Sequence, residues 1–166
     1  MGMQLIEHIE ITAATSGLVS FTSIPQDGQD LLFLGSIRTN NLSSVATYFE
    51  LQLNGYGDSG IHLAGSGANA YSYSAGYVNA GNPVVNRAGS TSNTFGSVSA
   101  YISNYTSSSG KSVSIDAVGE NNATEAYQVI SAGYKNTTAV TTLNCRVESD
   151  YFAAGTTLSL YMVTAD

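Results

Sequence analysis

Apolar and polar residues alternate with a period of two along most of the chain, and this pattern constrains the fold more than any other feature. The clearest example is residues 45–53, where Phe49 and Leu51 alternate with Tyr48 and Glu50. Successive side chains of an extended strand point to opposite faces, so the pattern predicts a strand with one buried face. Asn54-Gly55 follows it, and this dipeptide is typical of a tight turn.

The same alternation recurs between segments rich in Gly, Ser, Asn and Asp. It predicts further strands near residues 5–11, 19–21, 31–34, 98–102, 113–117, 127–129, 139–147 and 158–162. No segment has the 3.6-residue period of a helix. Eight or nine short strands predict an all-β, antiparallel two-sheet β-sandwich that is jelly-roll-like. An immunoglobulin topology is excluded because the chain has no Trp and a single Cys.

Residues 54–94 break the pattern. Gly, Ser, Ala, Asn and Tyr dominate there and aliphatic residues are few. We therefore predict one domain, residues 1–166, with a long Gly/Ser/Tyr-rich excursion at about 54–94 that is functional or ordered by a partner. Tyrosine supplies rigid contact area and a hydroxyl at low entropic cost. The candidate partner contacts in this segment are Tyr56, Tyr71, Tyr73 and Tyr77, with packing inside the loop as the alternative.

The chain carries unusually little charge. Charged residues make up 10% of it, against about 25% in ordinary domains, so hydroxyls and amides must cover much of its surface. That favours a surface covered by a partner or exposed outside a cell; a Ser/Thr-rich sandwich with no special partner is the alternative. The net charge of −7 with five scattered Lys and Arg argues against nucleic acid. No apolar run reaches the ~18 residues of a membrane helix, and the start lacks a secretory signal pattern.

Groups able to perform catalysis are scarce. The two histidines are His8, expected to face solvent from the first strand, and His62, which follows Asp58 closely enough for an Asp/His pair. The nearby Gly65-Ser66-Gly67 lacks the strand–turn–helix context of a nucleophilic serine. We therefore predict a protein that is not an enzyme and has no cofactor.

The carboxylates and the cysteine also indicate structural roles. Residues 54–60 distantly resemble a calcium loop but lack its closing Glu, so a hairpin turn is preferred. Asp116, Glu120 and Glu125 straddle a turn, where a solvated acidic edge is preferred over a weak cation site. Cys145 stands in phase with the apolar residues of its predicted strand and is expected to be buried.

Segments towards both ends of the chain carry a family resemblance. The matching residues are Val19, Phe21, Ile24 and Pro25; Leu32, Leu34 and Arg38; Asn54-Gly55; and Gly155 with residues 158–161. In these positions the chain resembles the small jelly-roll structural proteins encoded in the virion gene clusters of tailed bacteriophages. The resemblance spans most of the chain except residues 61–94. It departs after Gln26, where the family pattern has an aromatic residue and this chain has Asp27-Gly28.

The resemblance implies a component of the virion, assembled in the host cytoplasm. We expect a capsid decoration (cement) protein that binds the major capsid protein, or a small protein that binds tail proteins. Closed symmetry favours a homo-oligomer, with a trimer as the natural expectation. Arg38 is then either a surface residue at a strand end or an interface anchor for a carboxylate.

A carbohydrate- or receptor-binding module of a phage tail is the alternative function, because jelly rolls often host lectin-like sites. Exposed tyrosines of residues 61–94 and the turn at Asn54 and Asp58 would then face sugar. The absence of Trp counts against this alternative.

Overall fold

The computed structural model describes residues 2–44, 46–55, 60–66, 72–76, 84–120, 122, 126–132, 137–147 and 150–165, with only the backbone described in 60–66, 72–76 and 126–132. These residues form twelve strands: β1 Gly2–Glu10, β2 Leu18–Phe21, β3 Asp30–Ile37, β4 Ala46–Leu53, β5 Gly60–Ser66, β6 Ser72–Gly76, β7 Val84–Asn86, β8 Gly96–Ile102, β9 Val113–Glu120, β10 Ala126–Ala132, β11 Leu143–Val147 and β12 Thr157–Thr164. No helix that could cross a membrane is found in this part of the chain.

The strands belong to two antiparallel sheets. The large sheet has eight strands in the order β1-β12-β3-β8-β9-β10-β5-β6, and the small sheet has four in the order β2-β11-β4-β7. Buried apolar residues of both sheets form one hydrophobic core. The prediction of an all-β, two-sheet antiparallel sandwich is therefore confirmed.

The chain alternates between the sheets in a regular way. β1 and β3 lie in the large sheet, whereas β2 and β4 lie in the small one. Each of these four strands pairs with a strand from later in the chain: β1 with β12, β2 with β11, β3 with β8, and β4 with β7. The remaining four strands, β9, β10, β5 and β6, extend the large sheet beyond β8.

Every strand predicted from the alternation corresponds to a strand of the structure, but the prediction of a loop at 54–94 is wrong. That segment contains β5, β6 and β7. Gly, Ala and Ser are frequent in β5 and β6, and their low β-propensity conceals strands in the sequence. Backbone pairing with two neighbouring strands stabilises β5 despite this low propensity, because β5 pairs along its length with β10 on one side and β6 on the other.

Phe33 of β3 joins the two sheets at the centre of the core. Its ring stacks on Phe49 of β4 with centroids 5.7 Å apart and meets the edge of Phe21 of β2 at 6.3 Å. All three rings are fully buried. The small-sheet residue Cys145 is buried as predicted and forms no disulfide, and burial raises the pKa of its thiol.

The Asn54-Gly55 turn connects the two sheets. Both residues have positive φ, 54° and 77°, as the turn signal predicts. The hairpin prediction is wrong, however, because β4 lies in the small sheet and β5 in the large one. Asn54 is held against the segment that precedes β11: its Oδ1 accepts from the backbone N–H of Thr141 at 2.9 Å, and its Nδ2 donates to the carbonyl of Ala139 at 2.8 Å.

A close approach constrains the residue at position 28. At Gly28 a Cβ atom would lie 2.1 Å from the side chain of Met162, so no side chain fits there without rearrangement. The Gly28 N–H donates to the hydroxyl of Tyr105 at 3.3 Å, and burial raises the pKa of that tyrosine. Tyr105 is fully buried and belongs to the hydrophobic core.

We expect Phe33→Ala to lower the free energy of unfolding by about 3–5 kcal/mol, because it opens a cavity between the sheets. The matched control is Leu34→Ala, one residue along the same strand, whose side chain is 41% exposed. That change should cost about 0.5–1 kcal/mol. Urea denaturation followed by circular dichroism measures both. Equal losses for the two variants would contradict the central role of Phe33.

Candidate partner-contact surface

Arg38 follows β3 and points into the molecule. Its side chain is buried, with the residue 9% exposed. Nη1 donates to the carbonyls of Thr91 at 2.9 Å and Thr94 at 2.7 Å, and Nη2 donates to the carbonyl of Ala88 at 3.2 Å. The fork of guanidinium donors thus holds the β7–β8 loop in place. The prediction that Arg38 contacts a partner is wrong, because its donors are used within the chain.

Glu120, at the end of β9, holds the same loop from another side. Its carboxylate accepts from the backbone N–H of Thr91 at 2.7 Å, and its own N–H donates to the side chain of Asn86 at 3.1 Å. The prediction that Glu120 belongs to a solvated acidic edge is therefore wrong. Asp116 is exposed, and Glu125 lies outside the described residues.

An ion pair completes this polar end of the sandwich. Arg87 Nε lies 3.1 Å from the carboxylate of Asp150, whose side chain is only 1% exposed. The same carboxylate oxygen accepts from the hydroxyl of Thr39 at 2.6 Å, and Arg87 also donates to the hydroxyl of Ser44 at 2.7 Å. These contacts join the segments that follow β3 and β7 to the segment that precedes β12. The buried charges of this end hold loops together.

The cationic side chains of the described residues all have acceptors within the chain. Arg38 and Arg87 belong to the polar end. Lys111 Nζ donates to the carbonyls of Ser107 at 2.6 Å and Ser109 at 2.8 Å, and burial lowers its pKa. Arg146 pairs with the buried Glu50 at 3.0 Å. Glu7, Glu10, Asp27 and Asp116 are exposed at the surface. Within these ranges the surface charge is therefore predominantly negative.

The tyrosines chosen as candidate contacts fall mostly where the structure gives no description. Tyr56, Tyr71 and Tyr77 lie outside the described residues. Tyr73 lies in β6, where its backbone stands opposite Leu63 of β5. A partner-contact role for all four stays a prediction.

Neither histidine is seen in a catalytic Asp/His pair among the residues that the structure describes. His8 is exposed on β1, as predicted, and its Nδ1 lies 2.8 Å from the hydroxyl oxygen of Ser159. His62 lies in β5 and Asp58 is outside the described residues. Across the described ranges, no three His, Cys, Asp or Glu residues come together as metal ligands.

The outer face of the large sheet carries an apolar surface that the sequence reasoning missed. Leu5, Tyr161, Leu32 and Tyr101 stand side by side on β1, β12, β3 and β8, in that order. Leu34 lies two residues along β3 on the same face. Leu5, Leu34 and Tyr101 are 49%, 41% and 39% exposed, and the other two are half-buried. We call these five residues the outer patch.

A signal for the outer patch was present in the sequence. Strands buried on one face alternate, whereas residues 31–34 and 160–162 are apolar at consecutive positions. Leu31 and Phe33 fill the inward positions of β3, which leaves Leu32 and Leu34 facing outward. A continuous apolar run in a two-sheet sandwich thus indicates a strand with an apolar outer face as well.

Tyr101 is held in place on this face. Its hydroxyl donates to a carboxylate oxygen of Asp30 at 2.5 Å, and the other oxygen accepts from the backbone N–H of Asn104 at 2.6 Å. Asp30 itself is buried. The hydrogen bond to the Asp30 carboxylate, with a smaller contribution from burial, raises the pKa of Tyr101. The ring is therefore a fixed element of the outer patch.

Comparisons with protein-family models, with curated proteins and with solved structures find no match to this chain. The resemblance to phage structural proteins stays a prediction.

We expect Arg38→Lys to destabilise the fold by about 2–4 kcal/mol, because an ammonium group cannot reach all the carbonyls that the guanidinium binds. Arg146→Lys is the matched control. Its side chain is 43% exposed in its ion pair, so the change should cost less than about 1 kcal/mol. Thermal and urea unfolding measure the difference. Similar small losses would show that the buried network contributes little.

A second prediction concerns pH. The pKa of Tyr101 is raised in the folded state, so the unfolded chain ionises first as the pH passes about 10. The contribution of the Tyr101 hydroxyl to the free energy of unfolding is therefore complete below pH 10 and is lost as the pH rises through the pKa of the folded state. Tyr101→Phe should therefore be less stable than the natural chain at pH 7, with a gap that narrows above pH 10. A gap that stays constant in urea titrations from pH 7 to 11 would contradict this.

Proposed function

We propose that the chain is a non-enzymatic virion structural protein, a capsid decoration (cement) protein that binds the major capsid shell and stabilises the particle. The observation that carries the proposal is the outer patch, an apolar surface on a rigid sheet. A decoration protein needs contact area on a stable scaffold and needs no catalytic group. The outer patch and the inter-sheet core supply these two requirements.

The strand order supports a jelly roll. β1 to β4 pair with β12, β11, β8 and β7, which is the arrangement of an antiparallel ribbon rolled into two facing sheets. Jelly rolls combine two Greek keys over eight strands and are common in viral capsid domains. We assign the eight strands of that ribbon to the jelly roll and β5, β6, β9 and β10 to an extension of its larger sheet. Fold alone does not establish function, so the proposal rests on the surface.

The roles of the reactive side chains favour a structural protein. Cys145 is buried in the core, and its pKa is raised, which keeps the thiol protonated. The carboxylates of Glu120 and Asp150 accept hydrogen bonds from threonines and an arginine that tie loops together. These groups stabilise the scaffold in our proposal, and none is assigned a substrate.

The composition of the outer patch fits an interface. Interfaces are enriched in tyrosine, and their centres are poor in charge. Tyr101 and Tyr161 flank Leu32 in the outer patch, and none of the five residues carries a charge. We propose a homo-oligomer, with a trimer as the arrangement that suits a symmetry axis of a capsid.

The test uses particles produced from the encoding phage genome with this gene deleted. Purified protein is added, and binding is measured by co-sedimentation and particle stability by the temperature of disruption. We expect saturable binding and a higher disruption temperature, because added contacts between capsid subunits must be broken first. An unrelated acidic β-sandwich is the control. Absence of binding to capsids would contradict the cement role, and binding confined to tails would assign a tail-associated role.

A further inference from the structure

We propose that Asn54-Gly55 is a deamidation site that the fold keeps closed and that reacts only when residues 138–142 move away from it. The inference goes beyond the proposed function and does not depend on it. It assigns a covalent modification, with water as the co-reactant, to the single Asn-Gly dipeptide of the sequence.

The reaction joins two atoms of this dipeptide. The backbone nitrogen of Gly55 attacks Cγ of Asn54, the bond from Cγ to Nδ2 breaks, and ammonia leaves with the proton of the attacking nitrogen. Water then opens the resulting succinimide ring at either carbonyl and leaves aspartate or isoaspartate at position 54. Glycine has no side chain to shield its nitrogen, so an Asn-Gly dipeptide hinders this attack least.

Hydrogen bonds fix both ends of the Asn54 side-chain amide. Oδ1 accepts from the backbone N–H groups of Thr141 at 2.9 Å and Thr142 at 3.1 Å. Nδ2 donates to the carbonyl of Ala139 at 2.8 Å and to the hydroxyl of Thr138 at 3.1 Å. An Asn amide has two N–H donors and one acceptor oxygen, and all of them are used here. The ring cannot close until these bonds break, because ring closure moves Cγ and both of its substituents.

Residues 138–142 are held in turn by another part of the chain. The carbonyl of Thr141 accepts from the backbone N–H of Ile24 at 3.1 Å. Gln26 Nε2 donates to the carbonyl of Val140 at 2.9 Å. The segment must leave these contacts before the side-chain amide is free to react. The frequency of this local opening therefore sets the rate of deamidation in the folded protein.

The product does not fit the place that the amide occupies. A carboxylate has no N–H donor, so at position 54 it would set an oxygen against the carbonyl oxygen of Ala139, which Nδ2 now approaches to 2.8 Å. Isoaspartate would lengthen the backbone just after β4, where the N–H of Asn54 donates to the carbonyl of Thr142 at 2.8 Å. Deamidation therefore makes a reversible local opening permanent.

The first experiment follows deamidation by mass spectrometry of the fragment that contains residue 54. The natural chain is kept at mildly alkaline pH, either folded in buffer or unfolded in guanidinium chloride. We expect the folded chain to react at least about tenfold more slowly, because only its locally open fraction can react. Equal rates in the two samples would overturn the proposal, since the hydrogen bonds would then not restrain the amide.

Gln26→Ala tests whether residues 138–142 close the site. It removes a hydrogen bond to that segment without touching Asn54, and Gln4→Ala is the matched control at an exposed position of β1. We expect Gln26→Ala to raise the rate in the folded chain about fivefold, as the loss of one hydrogen bond favours opening by that factor, and Gln4→Ala to leave the rate within about twofold. If Gln26→Ala does not fold, Thr138→Val removes one acceptor of Nδ2 instead. A rate equal to that of the natural chain would overturn the role of the segment.

Asn54→Asp reproduces one product of the reaction and tests its effect on the fold. Asn93→Asp is the matched control, because Asn93 is an exposed turn residue with a similar positive φ, 61° against 54°. We expect Asn54→Asp to lower the melting temperature by at least about 3 °C and Asn93→Asp by less than about 1 °C. Equal melting temperatures for Asn54→Asp and the natural chain would overturn the claim that the modified site stays open.

Discussion

The contact of Phe33 with Phe21 and Phe49 is the interaction on which the rest of the structure depends. Phe33 belongs to the large sheet and its two neighbours to the small sheet, so these rings bury the facing surfaces of both. The alternation of β3 then determines the outer face, because residues that flank an inward Phe33 must point outward. Because Phe33 and Leu34 are consecutive residues of β3, the inward position of the Phe33 ring places Leu34 on the outer face.

The distribution of charge follows a second constraint. Burying an ionic group is costly unless it is paired and hydrogen-bonded. In this chain, hydrogen bonds to the β7–β8 loop compensate Arg38 and Glu120, and Arg87 forms an ion pair with Asp150. The row of Leu5, Tyr161, Leu32 and Tyr101 on the outer face of the large sheet contains no charged residue. A surface of that composition suits contact with another protein.

The period-two pattern was sufficient to predict the two-sheet fold, since large apolar residues alternate wherever a strand covers the core. It missed β5 and β6 because their small residues make the pattern weak and ladder pairing supplies the order. The role of Arg38 was not predictable, because its acceptors are carbonyls more than fifty residues away in sequence at Thr91 and Thr94. The outer patch was predictable in principle from the consecutive apolar residues of β3 and β12.

The central claim is that this chain is a structural protein which binds its partner through the outer face of the large sheet. Hydroxyl-radical footprinting of the free and particle-bound protein tests it most directly. The account predicts that Leu34, Tyr101 and Tyr161 become protected on binding, while Tyr48 on the opposite face keeps its reactivity. Unchanged reactivity of the first three residues in a bound particle, or protection of Tyr48 instead, would contradict it.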